Sequence, residues 1–362
     1  MKKTLIMVIV LSMLLLTLAA CGKAAEAAPA AEAAPAAEAA PAAEAAPADS
    51  GETYIMRVGY ATVNDSQDNN AKLFKKYVEE KTNGRLQVEL YPASQLGTNQ
   101  KVVDSVMNGT VEATFQPTAF LSGFDTVMNV GDLPFFWPDQ DVMLDILNNS
   151  DIAKKFAARA ESKGVKIVGY VNQGTKQLVT SSPVASMSDM SGIKLRVMGA
   201  PVLDTMVEDW GGSSIPLALS EVFTALQQKT VDGIEQTCEL TYLMSNYEAA
   251  PYILITNHGL LPEAIMLNLE WYNSLPADIQ DAINEVASYS YLEGAVWCAE
   301  HNEEALKTME EQGLITVAYP SEEVLAEFKA AAEITYQKYL EANPEAQEYF
   351  DGFQAEIAAR TK

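Results

Sequence analysis

The chain has 362 residues, with 24 Lys and Arg against 49 Asp and Glu and a formal net charge of −25. That surplus of acid argues against nucleic-acid partners, which need a basic footprint. It leaves the sign of a small ligand open, because a buried arginine acts at short range while a distant acidic surface is screened. The 48% hydrophobic and 8% aromatic residues are enough to build the cores of two lobes of ordinary domain size.

Lys2 and Lys3 precede an apolar run from Thr4 to Leu18. The run is shorter than the ~20 residues of a membrane-crossing helix and reads as the core of an export signal. It ends in Leu18-Ala19-Ala20-Cys21, which resembles a lipobox. Residues 1–20 are therefore expected to be a lipoprotein signal peptide and Cys21 to be lipidated, tethering the chain to the bilayer on its extracytoplasmic side. The alternative is a plain secretory signal with an incidental cysteine. From Ala24 to Pro47 the hexad Ala-Glu-Ala-Ala-Pro-Ala recurs, with prolines at 29, 35, 41 and 47. A proline in every hexad breaks any helix, so residues 21–51 are expected to be an extended spacer.

Beyond the spacer, Tyr54 to Tyr60 alternates as a first strand with Arg57 on its polar side. Asp68 to Lys81 carries Ala71, Phe74, Tyr77 and Val78 at helical spacing, and Asn83-Gly84 is a turn. Leu86, Val88 and Leu90 alternate as a second strand, and Lys101 to Asn108 reads as a helix closed by Gly109. Ala113 to Gln116 begins a third strand. Val165 to Tyr170 and Leu195 to Met198 are further strands, and Pro201 to Asp209 is a helix. Ser220 is expected to cap a helix reaching Gln228, and Val231 to Gln236 supplies a short strand. From Pro276 to Gly313 one unbroken helical pattern carries Ile279, Ile283, Val286, Leu292, Val296 and Leu306. It is too long for one small lobe and reads as a spine crossing two. A last helix runs from Ser321 to about Leu340. Strands alternating with helices predict an α/β fold whose ligand side lies at the carboxyl ends of the strands.

The chemistry of catalysis is missing. There is no phosphate-binding glycine loop, no nucleophile elbow and no zinc-binding His-Glu-x-x-His. His258 and His301 stand far apart, so neither a histidine metal site nor a triad is expected, and His258 reads as structural. Glu79 with Glu80 and Glu303 with Glu304 are adjacent residues that do not converge on one point of a helix. After Cys21 only Cys238 and Cys298 remain, which is no disulfide framework, with a single bridge between them as the alternative. No cofactor is expected.

Three blocks resemble the substrate-binding proteins of TRAP transporters (tripartite ATP-independent periplasmic transporters) of the dicarboxylate and sialic-acid type. They are Glu80-Lys81-Thr82-Asn83-Gly84-Arg85 with Leu90-Tyr91-Pro92-Ala93-Ser94-Gln95-Leu96-Gly97, Met190 to Val197 with its Lys-Leu-Arg-Val, and Ser220 to Gln227 with Val231-Asp232-Gly233-Ile234-Glu235. The resemblance implies a two-lobed α/β periplasmic clamp with a long helix spanning both lobes. Lobe I would be 52–173 plus about 262–301, and lobe II 174–261 plus about 302–362. It implies a monomer that performs no catalysis, binds a small organic acid (a carboxylate or a sulfonate) and hands it to a sodium-driven TRAP-type permease.

The resemblance also points to site residues. Arg196 stands where relatives hold the ligand carboxylate in a fork, chemistry suited to a planar guanidinium that keeps its charge when desolvated. The alternative is a surface arginine, although Leu195 and Val197 face the other way. Lys176, in Gly174-Thr175-Lys176, replaces a second arginine with a point donor that either reaches the ligand or snorkels to solvent. Gln236 takes the place of a ligand-bonding asparagine. Gln116 and Leu219 stand where relatives carry a glutamate and a phenylalanine, and are either wall or packing. Trp210 and Tyr242 offer aromatic surface, with core burial as the alternative. A receptor of another transport or sensing system, and an unrecognised enzyme, are the competing readings.

Overall fold

A computed structural model describes residues 51–361 of the chain; Cys21, the signal and most of the spacer lie outside the described residues. The strands are β1 (Tyr54–Gly59), β2 (Leu86–Tyr91), β3 (Ala113–Pro117), β4 (Val165–Thr180), β5 (Lys194–Val197), β6 (Ser213–Pro216), β7 (Gly233–Thr237), β8 (Tyr252–Asn268) and β9 (Thr316–Ala318). The helices are α1 (Ser66–Lys81), α2 (Asn99–Met107), α3 (Gln140–Asn149), α4 (Asp151–Ala158), α5 (Pro201–Asp209), α6 (Val222–Gln227), α7 (Cys238–Leu243), α8 (Leu269–Ser274), α9 (Ala277–Glu311), α10 (Glu322–Ala342) and α11 (Gln347–Arg360).

Local sequence explains the first half directly. In β2, Leu86 and Val88 are buried while Gln87 and Glu89 face solvent, so one face of the strand meets the core. Asp65 caps α1 by accepting from Asp68 N at 3.1 Å, an interaction worth about 1 kcal/mol. Gly109 follows α2 with φ +77, a left-handed turn that glycine adopts without strain.

All nine strands form one sheet in the order β2-β1-β3-β8-β4-β7-β5-β6, with β9 on β8. Its centre is the antiparallel pair β4 and β8, of 16 and 17 residues. On one side β3, β1 and β2 run parallel to one another, and on the other β7, β5 and β6 do the same. β3 pairs with β8 over Glu263–Leu267, whereas β7 pairs with β4 over Lys176–Thr180. The two parallel triplets therefore hang on different stretches of the same long pair. The register of the long pair slips between those stretches, at Asn172/Thr175, and again at the start of the second, at Lys176/Leu178. Gly174 there has φ +119 and Asn257 opposite has φ +46. These bulges bend the long strands where one half of the sheet gives way to the other.

α9, 35 residues long, packs against α1 and α3 beside the first triplet and against α7 beside the second. The expected spine is present. α10 packs on α5, and α11 on α3 and α4. No helix among the described residues is long and apolar enough to cross a membrane.

Two expectations are corrected. β4 does not end at Tyr170 but continues through buried Asn172, Gln173, Lys176 and Gln177 to Thr180. Ser220 is not a cap: Glu221 turns back to accept from Ala218 N at 3.3 Å, so a short 3-10 turn over Leu219–Glu221 leads into α6.

Candidate ligand-binding site

The carboxyl ends of four strands converge on one small, partly enclosed cavity. Ala61 and Thr62 reach it from just beyond β1, Pro117 from the end of β3, Met198 from just beyond β5, and Gln236 from β7. Gln173 of β4 and Leu261 of β8 line it where the long strands change neighbours. Asn99 and Phe120 also border a shallower depression that runs past exposed Gly199 and Pro216, continuing the cavity toward the surface.

Arg196 comes to this wall because β5 buries Leu195 and Val197 on its other face. Its side chain is buried, yet no carboxylate among the described residues forms an ion pair with it. Nε at 3.0 Å and Nη2 at 2.9 Å both donate to the Leu217 carbonyl. Burial draws its pKa down to about 10, against a weaker pull from Glu235, so it remains a cation at neutral pH. Gln236 is likewise buried, and its Nε2 has no acceptor among the described residues. A buried donor without a partner is costly, and Gln236 is one of the residues that line the cavity. Leu219 adds apolar surface. Arg196, Gln236 and Leu219 are thus brought together.

Lys176 and Gln116 stand behind the wall. Lys176 Nζ lies 2.8 Å from Glu235 Oε2, with both side chains almost fully buried. The same carboxylate oxygen lies 3.3 Å from His258 Nε2, and His258 Nδ1 is 2.7 Å from Thr256 Oγ1. Burial alone would raise the Glu235 pKa, but Lys176 and His258 hold it down at about 2. Burial lowers the pKa of His258, which is therefore a neutral structural residue, edge-on to Trp210. Asp132, behind Lys176, accepts from Thr118 Oγ1 and Asn129 Nδ2; burial raises its pKa to about 6. Gln116 Oε1 accepts from Asn99 Nδ2 at 2.8 Å and so orients a wall residue from behind. Trp210 is core, and Tyr242 stacks on Tyr247.

Sequence reasoning missed Gln67, Asn99, Phe120 and Gln173. It also missed a bridge beside the cavity. Ser66 N and Oγ, at the start of α1, donate to Glu239 Oε2 of α7 at 3.2 and 2.5 Å. Gln173 Nε2 donates to Asp65 Oδ2 at 2.7 Å, and Gln67 Nε2 to Glu263 Oε1 at 2.6 Å. Burial raises the pKa of all three acids, that of Glu239 to about 7 and that of Glu263 well above the carboxylate range. Cys238 and Cys298 are buried free thiols. Among the described residues no cluster of His, Cys, Asp or Glu has metal-binding geometry.

Residues 58–343 match the family model for bacterial extracellular solute-binding protein, family 7. The chain is 27% identical over 261 residues to the 2,3-diketo-L-gulonate-binding periplasmic protein of Escherichia coli strain K12, covering 72% of this chain and 79% of that one. A TRAP periplasmic solute-binding protein from Desulfovibrio salexigens, solved with bound orotic acid, superposes with a TM-score of 0.81 at 26% identity, covering 85% of this chain and 99% of that one. The sugar acid binding protein from Advenella mimigardefordensis in complex with galactonate gives 0.79 at 26% identity, covering 84% and 99%. These are binding proteins of transporters, not enzymes.

Proposed function

Because the chain belongs to bacterial extracellular solute-binding protein family 7, we propose that it is an extracytoplasmic receptor that grips a small organic acid through Arg196 and delivers it to a TRAP-type permease. The observation that carries this reading is a buried guanidinium on a cavity wall with no ion-paired carboxylate among the described residues. A ligand carboxylate or sulfonate supplies that partner in planar, charge-assisted geometry. Gln236 Nε2 gives a second, neutral donor. Relatives that bind 2,3-diketo-L-gulonate, galactonate and orotic acid support an acid as the ligand class. The receptor works as a monomer held to the bilayer by lipidated Cys21, with its lobes, 52–173 plus about 262–301 and 174–261 plus about 302–362, hinged at the bulges of β4 and β8.

The test is transport. Vesicles carrying TRAP-type permease subunits and a sodium gradient are expected to accumulate the labelled acid only when the full chain is added, and to release it chemically unchanged. Equal uptake without the chain, or turnover of the acid, refutes the proposal.

A further inference from the structure

Arg196 is the single charged side chain on the cavity wall among the described residues. The next cation inward, Lys176, is already neutralised: Glu235, one residue before Gln236 on β7, holds its Nζ at 2.8 Å, and both side chains are out of solvent. Around the rest of the wall the polar groups are neutral: the hydroxyl of Thr62 and the amides of Gln67, Asn99, Gln173 and Gln236. Directly behind two of those amides stand carboxyl groups, Glu263 against Gln67 and Asp65 against Gln173. The site therefore offers one positive charge at Arg196, then uncharged hydrogen-bonding groups with acids at their backs.

Resting on the reading of this cavity as an organic-anion site, we propose that its ligand is a monoanion: a small acid with one carboxylate on Arg196 and hydroxyl or carbonyl oxygens along the amide wall. A second carboxylate would be stripped of water beside neutral amides and buried acids, where a charge without a partner is strongly disfavoured. A hydroxyl or carbonyl suits that wall, since amides both donate and accept, and Gln236 Nε2 needs an acceptor. Glu235 is thus the specificity-determining residue, acting by removing the charge of Lys176 from the ligand's surroundings. The sequence suggests two cations for the ligand; the ion pair leaves one.

Calorimetric titration of the full chain with matched acids tests this, using galactonate against galactarate and succinamate against succinate. Each pair differs by a neutral group replaced with a carboxylate. In any pair that binds, the monoacid is expected to bind at least about tenfold more tightly than the diacid; a diacid that binds as tightly as its mate overturns the proposal. Glu235→Gln, which releases the charge of Lys176, is expected to narrow that preference by about tenfold. Should that variant fail to fold, Lys176→Met combined with Glu235→Gln removes the pair together, an exchange a protein often tolerates. The double variant is expected to hold monoacid affinity within about threefold. A loss of about tenfold or more in a variant with native circular dichroism means that Lys176 touches the ligand, and the charge count fails. If none of the four probes binds, the compound released from purified protein by denaturation decides by mass spectrometry. One acid group supports the proposal, two overturn it, and none overturns the anion reading itself.

Discussion

Replacing Arg196 gives the sharpest test of the site, and its size can be worked from the geometry. Two guanidinium donors are committed to the Leu217 carbonyl, which fixes the plane of the group. On the proposed reading the remaining donors serve the ligand, and no carboxylate among the described residues pairs with them. Arg196→Ala leaves a desolvated ligand anion among amides, a loss of roughly 3–5 kcal/mol, or two to four decades in affinity. Arg196→Lys keeps the charge, but one ammonium must serve both Leu217 O and the ligand without a planar fork. Losing one charge-assisted hydrogen bond costs about 1.5–3 kcal/mol, so one to two decades should still be missing. Isothermal titration with the co-purifying acid measures both, with circular dichroism as the control for folding. Because the pKa of Arg196 is drawn down to about 10, wild-type affinity should decline as pH rises through about 10. An Arg196→Ala protein that folds and binds within about threefold of wild type refutes the reasoning.

Glu239 should make stability fall with rising pH. Its folded pKa of about 7 lies above the 4.5 of the unfolded chain, so between those values the native state holds a proton that the unfolded state has released. Glu239→Gln should shrink the difference between urea midpoints at about pH 5 and about pH 8, and an unchanged difference would show that Glu239 is ionised in the fold. Gly174→Ala should destabilise by about 1–3 kcal/mol, since φ is +119 and a Cβ would lie 2.6 Å from Asn302 Nδ2; a melting temperature equal to wild type removes the argument for strain at that bulge. Cys21→Ser should abolish labelling by a fatty-acid probe, and equal labelling of both proteins excludes the anchor.

The parts of the fold that were legible in the sequence are those where one physical signal acts alone. β2 alternates cleanly because one face is buried, and α9 buries Ile279, Ile283 and Val286 as expected; further along, Leu292 and Val296 face solvent instead, and the buried face passes through Tyr291, Gly294, Ala295 and Cys298. β8 carries no such signal. Asn257, His258, Gly259, Pro262 and Glu263 interrupt it, and these residues would mark a loop if they met water. They are instead satisfied from outside the strand, as when Phe135 N donates to the His258 carbonyl at 2.6 Å and Gln67 Nε2 to Glu263. The same holds for the polar half of β4. At the site, Arg196 was legible because a short apolar strand with one central arginine specifies which face it occupies. The fate of Lys176 was not, because its partner Glu235 lies 59 residues further along the chain and meets it only through the antiparallel β4–β7 pairing. Asn99 and Gln173 were missed for a related reason: a lone amide has no pattern until the backbone folds around it.

The two cations of this region show how one fold treats the same charge in opposite ways. Lys176 is buried with its counter-ion, and Glu235 is in turn held by His258, so the pair is closed within the protein. Arg196 is buried with a carbonyl only. The lowering of its pKa from 12.5 to about 10 expresses the resulting loss of solvation, on the order of 3 kcal/mol at about 1.36 kcal/mol per unit. An anion placed against the free donors reverses that loss, and the gain is comparable with the affinity that Arg196→Ala is expected to remove. Closing the pair internally, as at Lys176, would stabilise the receptor and leave it without a grip. On the proposed reading, leaving Arg196 open transfers that stabilisation to the ligand, which is the physical requirement of a binding protein that performs no chemistry on what it holds.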